Sequence, residues 1–393
     1  MIHMVESSTG RGGAVIVSAV RTPVGVGKPD KGALSGVHPV DLSAIALNAA
    51  IARAGIDPAL IDDVMWGCVT QVGEQSTNIG RNAVLAAGLP EHVPAATIDR
   101  QCGSSQQAIH SAAAMLIAGQ ADVVIAGGVE VMSRTPMFSN TTGGDGPYGP
   151  AIRARYPHLV PQGESAELIA DRWKLSRMML DEIAATSHDR AAAAATAGWF
   201  DREIVSVPTN DGEVVADQGI RPGSSVETLA GLRTPFREHG VVTAGNASQI
   251  SDGAAALVMM TGERAKALGL TPVARVHTAT AVGSDPILML TGPIAATARV
   301  LQRAGLSLDD IGAFEVNEAF ASVVGAWLLE TGADPGLVNP RGGAIALGHP
   351  LGASGARLAT TLVHHLRDTG ARYGLQTMCE GGGMANATIF ERL

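Results

Sequence analysis

The sequence predicts an α/β protein made of two related strand–helix halves, each a mixed sheet covered by helices, with one inserted segment between them. Three observations carry this. Ala52-Arg53-Ala54-Gly55-Ile56, then Ile61-Asp62-Asp63-Val64, is echoed at Gln302-Arg303-Ala304-Gly305-Leu306, then Asp309-Asp310-Ile311. The echo continues further on. Cys102 opens a small-residue helix that leads to a strand and Gly127-Gly128, while Gly352-Ala353-Ser354-Gly355 opens another that leads to Thr377-Met378-Cys379 and Gly381-Gly382-Gly383. Finally, residues 132–250 differ in character from both copies. The expected division is therefore 1–131 with 251–273, an insert over 132–250, and 274–393.

Taken in order, Met1 to Gly13 is polar and Gly-rich, unlike a signal peptide, and is expected to be a mobile leader. Ala14 to Val20 reads as a buried strand ended by Arg21-Thr22-Pro23. The Gly25-Val26-Gly27-Lys28-Pro29 loop lacks a third glycine, and Pro29 argues against a nucleotide fingerprint. A helix is expected over 41–54 with Asp41 as its cap, stopped by Gly55. Val64-Met65-Trp66 is the next strand, 77–87 a helix, and Ala95 to Ile98 a short strand. The helix after Cys102 runs to about Gly119 and is apolar nearly all round, which marks it as interior. A strand over Val123 to Gly128 follows. In the insert, Ser139 to Pro150 and Arg221-Pro222-Gly223 read as loops, with amphipathic helices over 166–173 and 181–197. Asp252 to Met260 is a strand returning to the first half.

Composition narrows the function. The 393 residues are 46% apolar and 17% charged, which fits a globular chain of two or three domains. A net charge of −9 argues against nucleic acid or an anionic membrane surface as partner. No apolar run reaches the ~18 residues of a membrane-spanning helix. Three cysteines (Cys68, Cys102, Cys379) cannot all pair and show no metal-ligand spacing, so no metal is expected and a reducing cytoplasm fits best. Lys occurs only at 28, 31, 174 and 266, so an anionic ligand would be met mainly by Arg and backbone N–H groups.

Reactive side chains fall in Gly- or Pro-marked loops at strand–helix junctions: Cys102, His349 in Gly348-His349-Pro350-Leu351-Gly352, and Cys379 in Cys379-Glu380-Gly381-Gly382-Gly383. Asn317 is a fourth candidate. A thiol needs a base to become a nucleophile, and His is the commonest one. A helix start favours the thiolate, and glycines beside both sulfurs leave backbone N–H groups bare toward a developing oxyanion. Taken singly, a buried Cys is as often inert, and a His in a Gly-rich loop is more often structural.

With these stretches together, the chain resembles the thiolase family, the acetyl-CoA acetyltransferases and 3-ketoacyl-CoA thiolases, over nearly its whole length. The matching stretches include Ala19-Val20-Arg21-Thr22-Pro23, Gln101-Cys102-Gly103-Ser104, Ala126 to Ser133, Val242 to Ser248, Asp252 to Ala256, Asn317-Glu318-Ala319-Phe320, Gly342 to Pro350, and Cys379 with its glycines. The resemblance implies two pseudo-twofold-related α/β/α/β/α halves with an inserted loop domain. It implies a ping-pong acyl transfer, 3-ketoacyl-CoA plus CoA giving acyl-CoA plus acetyl-CoA, with the reverse condensation of two acetyl-CoA. Cys102 would take the acyl group, His349 would activate it, and Cys379 would be the second acid/base. Asn317 would hold a water with His349, and the N–H groups of Cys102 and Gly381 would form an oxyanion hole.

Coenzyme A would enter as substrate, with no permanently bound cofactor. Arg221 would meet its adenine and 3′-phosphate end, and Ser248 would bond the pantetheine. Ser224, Thr228, Phe236 and Ala244 would line the tunnel, with Met289 and Phe320 beside the acyl pocket. The chain departs from short-chain biosynthetic relatives at Pro161-Gln162-Gly163, which argues against strict acetoacetyl specificity, and at Leu290, Glu380 and Ala385-Asn386; a carboxylate at 380 would either disfavour the Cys379 thiolate or point away from it. A degradative β-oxidation role is expected. The alternatives are a dedicated acetoacetyl-CoA thiolase, a non-catalytic carrier of the same fold, disfavoured by the intact Cys102, His349 and Cys379, and another condensing enzyme such as a ketoacyl synthase or 3-hydroxy-3-methylglutaryl-CoA synthase, disfavoured by Cys379 and its glycines. A homodimer or homotetramer is expected.

Overall fold

The computed structural model describes residues 12–393. The leader expected over 1–13 lies outside the described residues except for Gly12 and Gly13. The first stretch runs through β1 (Ala14–Arg21), β2 (Gly25–Val26), α1 (Pro39–Ala54), β3 (Asp63–Gly67), α2 (Ile79–Ala86), β4 (Ala95–Ile98), α3 (Ser104–Ala118) and β5 (Val123–Val131). Next come α4 (Pro150–Arg155), α5 (Gln162–Trp173), α6 (Arg177–Thr196), a hairpin of β6 (Val207–Thr209) and β7 (Gly212–Val214), and α7 (Val226–Ala230). They are followed by β8 (Ser251–Thr261), α8 (Gly262–Ala267), β9 (Ala274–Gly283), α9 (Gly292–Ala304) and β10 (Ile311–Val316). The chain closes with α10 (Ala321–Thr331), α11 (Ala344–Leu347), α12 (Ser354–Thr369), β11 (Tyr373–Glu380) and β12 (Met384–Arg392).

The two echoed segments fold alike for a local reason. Each Ala-rich helix is stopped by a glycine in the left-handed region, Gly55 at φ +67° and Gly305 at φ +68°, whose N–H caps the last turn. Each is followed by a single 3-10 turn, Pro58–Leu60 or Leu308–Asp310, and then by a strand, β3 or β10. The start of α1 differs from expectation. Pro39 fixes the first turn, and His38 rather than Asp41 caps it, its Nδ1 accepting the Val40 N–H at 3.3 Å. Asp41 sits in the first turn, at the positive end of the helix.

The main sheet orders its strands β10-β11-β12-β9-β1-β8-β5-β3-β4. Outward from the middle, β1-β8-β5 and β9-β12-β11 are antiparallel, and β5-β3 and β11-β10 are parallel. The first half ends in the parallel strand β4, and the second has only a parallel bridge, Phe314 to Val338, in that place. β1 and β9 meet through two residue pairs alone, Val15–Arg275 and Ile16–Ala274, so the half-sheets join at a short seam.

Apolar packing stacks these pieces into five layers. α1 and α2 cover the outer face of the first half-sheet around Leu42, Leu47, Trp66 and Val84. α9 and α10 cover the outer face of the second around Val300, Phe314 and Trp327. Between the sheets lie α3 and α12, with Ile109, Leu116, Leu362 and Leu366 packed against Leu257, Met259 and Phe390. Each such buried side chain stabilises the fold by about 1.5–3 kcal/mol. The intervening segment is tied down by polar contacts: buried Arg21 at the end of β1 donates to Glu203 at 2.6 Å and to Asp217 at 2.7 Å. No helix among the described residues is long and apolar enough to cross a membrane.

Candidate active site

The link from β4 to α3 is held by its own side chains. Asp99 accepts the Gln101 N–H at 2.7 Å, and Ser104 Oγ accepts the Arg100 N–H at 2.9 Å while donating to the Gln101 carbonyl. These contacts hold Gln101 at φ +48°, a conformation non-glycine residues rarely adopt. The next residue, Cys102, is thereby presented at the foot of α3, with its own N–H and that of Gly381 directed at its sulfur. Burial, then the nearby Glu380, push the Cys102 thiol up to about 12. The resting group is a thiol, and reaction requires a base.

His349 shares a cavity wall with Cys102. Its backbone N–H donates to Ser251 Oγ at 3.0 Å, and its Nδ1 lies 2.6 Å from Ser354 Oγ. Ser354 spends its single proton on the Pro350 carbonyl at 2.8 Å, so it accepts from Nδ1–H and leaves Nε2 as the basic nitrogen. Asn317 Nδ2 lies 3.3 Å from that Nε2. Asn317 Oδ1 is buried and has no hydrogen-bond partner among the described residues. Burial, helped by the Arg357 charge, pushes His349 down to about 3, so the imidazole is neutral.

Two buried carboxyl groups assemble these loops. Glu130 at the end of β5 accepts N–H groups from Val69, Thr70 and Gly352 and the Gln75 amide, at 2.7–3.0 Å. It thus joins the loop after β3 to the turn behind His349. Glu318 accepts from Ser187 Oγ, Asn339 Nδ2 and the Ile345 N–H, and so fixes the segment carrying His349 to the end of β10. Cys379 lies near the end of β11, fully buried among Leu290, Phe320 and Ile345. Burial, then the Cys102 sulfur, then Glu380 raise its thiol. The two sulfurs are therefore close enough to feel each other's charge.

Cys102 and His349 open on a cavity of about 460 Å³ whose wall includes Arg221, Phe236, Ala244, Ser248 and Phe320 from the expected set. Phe236 meets Phe320 edge-on at 6.1 Å between ring centres. The loop bearing Ala244 and Ser248 is closed by Asn246, which accepts the Thr243 N–H and donates to Asp181. Six expected residues are outside the cavity wall: Cys379, Asn317 and Gly381, and three of the binding set. Ser224 Oγ donates to the Arg221 carbonyl, Thr228 is spent on capping α7 with Ser225, and Met289 is core beside Leu290. Leu290, Gln162 and Met132 do line it, as does Lys28. The Val26-Gly27-Lys28 turn thus faces a ligand cavity without being a phosphate loop. Ser354 and Glu130 also went unread as site residues. For Ser354 a signal existed: a hydroxyl five residues beyond His349, at a helix start.

A cavity walled by a thiol and a neutral imidazole, with a second thiol buried behind it, fits an enzyme of acyl transfer through cysteine. Residues 14–263 match the family description "Thiolase, N-terminal domain" and residues 270–392 match "Thiolase, C-terminal domain". The chain is 52% identical to the steroid 3-ketoacyl-CoA thiolase FadA6 of Mycobacterium tuberculosis, across 97% of this chain and 94% of that protein. It is 46% identical to a 3-ketoacyl-CoA thiolase of Erwinia tasmaniensis, across 96% and 99%. The crystal structure of the Bacillus anthracis acetyl-CoA acetyltransferase superposes with a TM-score of 0.89 at 38% identity, across 98% and 99%. The chain belongs to the thiolase family.

Proposed function

We propose that this thiolase acts degradatively, cleaving 3-ketoacyl-CoA with CoA to give acetyl-CoA and a shortened acyl-CoA. The observation that carries this is the meeting of Cys102 and His349, far apart in sequence, on one cavity of about 460 Å³. In this reading His349 Nε2 takes the Cys102 proton as the sulfur attacks the 3-keto carbon. Cys379 protonates the departing acetyl-CoA carbanion, and the Asn317 amide with a water stabilises the enolate oxygen. The N–H groups of Cys102 and Gly381 stabilise the tetrahedral oxyanion, and CoA then collects the acyl group.

Arg221 and Lys28 suit the anionic end of CoA, and Ser248 with Ala244 and Phe236 suits the pantetheine. The identities to relatives named 3-ketoacyl-CoA thiolase exceed that to the acetyl-CoA acetyltransferase, which supports substrates longer than acetoacetyl-CoA. The proposed division is 1–131 with 251–273, the insert 132–250, and 274–393, in a homodimer or homotetramer. Free Cys68, Cys102 and Cys379 support a reducing cytoplasm. The test follows loss of the 3-ketoacyl-CoA–magnesium enolate absorbance on adding CoA, with acyl groups from four carbons to ring-bearing ones. A rate rising with acyl size is expected. Cleavage of acetoacetyl-CoA alone would favour the biosynthetic role, and no turnover of any substrate would overturn the enzyme reading.

A further inference from the structure

Glu380 is the last residue of β11 and directly follows Cys379. Alternation along a strand sends successive side chains to opposite faces. Cys379 joins the cluster with Leu290 and Phe320, while the Glu380 side chain passes beneath Gly103, which caps α3 and follows Cys102. A Cβ at position 103 would collide with Glu380 Oε1, so glycine and carboxyl share one niche. The carboxyl is fully buried, and neither oxygen has a hydrogen-bond partner among the described residues.

The groups around it come from each neighbouring element. Arg100, in the loop before α3, is the cation that acts on it, and its own Nε is likewise unpartnered. Cys102 lies in the same loop, and Cys379 precedes Glu380 on β11. From α3, His110 lies near Arg100 and is held neutral, pushed down to about 3 mainly by burial. β12 contributes Met384 opposite Glu380 and the uncharged Asn386, whose amide donates to the Gly103 carbonyl at 3.2 Å.

We propose that Glu380 is a positioning residue for the nucleophile: its carboxyl is carried as the neutral acid under the amino end of α3, and its ionisation opposes the Cys102 thiolate. A helix start and two backbone N–H groups favour one negative charge at this place. A carboxylate just beneath would compete with the sulfur for the same field. Without a donor of its own, the carboxyl is cheaper to bury with its proton on. In line with this, burial pushes Glu380 up to about 8, and its charge raises both cysteine thiols. Acylation then has an alkaline limit that belongs to a carboxyl group rather than to a sulfur.

This rests on Cys102 being the nucleophile, so the main test uses a reagent needing no substrate. Iodoacetamide alkylation of Cys102, located by peptide mass spectrometry, is followed against pH in the wild type and in Glu380→Gln. Below about pH 7, where the carboxyl keeps its proton, the two should react alike. Above about pH 8 the variant should react about tenfold faster, because no charge forms beneath the sulfur. The alkaline limb of acyl transfer should move up by a similar factor. Superimposable alkylation profiles would overturn the proposal. Should Glu380→Gln fail to fold, Glu380→Leu must show the same high-pH gain, and the absence of that gain is equally fatal. Lack of turnover with every 3-ketoacyl-CoA, with the alkylation shift intact, would sink the thiolase reading and spare this one.

Discussion

β5 and β11 occupy the same place in the two half-sheets, each between one parallel and one antiparallel neighbour. Each carries a fully buried glutamate at its catalytic end. Glu130, on β5, accepts four hydrogen bonds and joins the loop after β3 to the turn behind His349. Glu380, on β11, accepts none among the described residues. Two other fully buried ionic groups of the second half, Glu315 and Arg357, are also unpartnered there at every side-chain charge-bearing atom. The carboxyl at the end of β5 is therefore braced and the one at the end of β11 is not, although Glu318 of the second half is braced much as Glu130 is.

The sharpest comparison of the two halves removes one sulfur at a time. Cys102→Ala should abolish acyl transfer, lowering kcat by at least about 10⁴-fold, since the acyl group then has no carrier. Cys379→Ala should still accept an acyl label at Cys102, seen by intact mass, while condensation of two acetyl-CoA is lost. Comparable turnover in either variant would erase the division of labour between the two sulfurs. A somewhat smaller loss is expected of His349→Asn, about 10²–10⁴-fold in the acylation rate measured by rapid quench, because Cys102 then keeps its proton.

Much of this was legible in the sequence because it is local. Gly55 and Gly305 announce the same helix stop, and the small-residue helices after Cys102 and Gly352 announce the two central ones. Cys102, His349, Cys379 and Asn317 stand in loops whose glycines are visible in the chain. What was not legible depends on packing between distant segments. Nothing near Glu130 in sequence says that Gly352 will donate to it. Thr228 reads equally well as a ligand contact or as a helix cap, and the structure uses it as a cap. Lys28 was hidden by a loop that fails as a nucleotide fingerprint yet folds onto the cavity through Gln218, whose amide bonds Val26, Lys31 and Ala33.

Stability separates the two glutamates next. Glu130→Ala leaves three N–H groups without an acceptor and takes one of two acceptors from the Gln75 amide. It should lower unfolding free energy by about 3 kcal/mol or more in denaturant titrations. Glu380→Gln removes no hydrogen bond and should cost less than about 1 kcal/mol near neutral pH. Equal losses would mean that the two strand ends are braced alike after all.

The smallest effect is in the pH dependence of stability, where both kinds of buried group act. His110 and His349 are pushed down to about 3, and His188 and His365 to about 4, chiefly by burial. Their contribution is complete above the unfolded value of about 6.5 and is lost as pH falls, because the unfolded chain then binds more protons. Glu315 and Glu380 are pushed up to about 8, again by burial. Theirs is complete below the unfolded carboxyl value and is lost as pH rises through about 8, because the folded chain then holds protons the unfolded one has released. Between the carboxyl and imidazole unfolded values the two slopes oppose, at about 1.4 kcal/mol per unit per group at most and less for the partly buried His188 and His365. Glu380→Gln should remove one downward slope, running from the unfolded carboxyl value up to about pH 8. A variant curve parallel to the wild type from neutral to alkaline pH would show that Glu380 is already ionised in the folded protein, and with it the contrast between the two half-sheets would disappear.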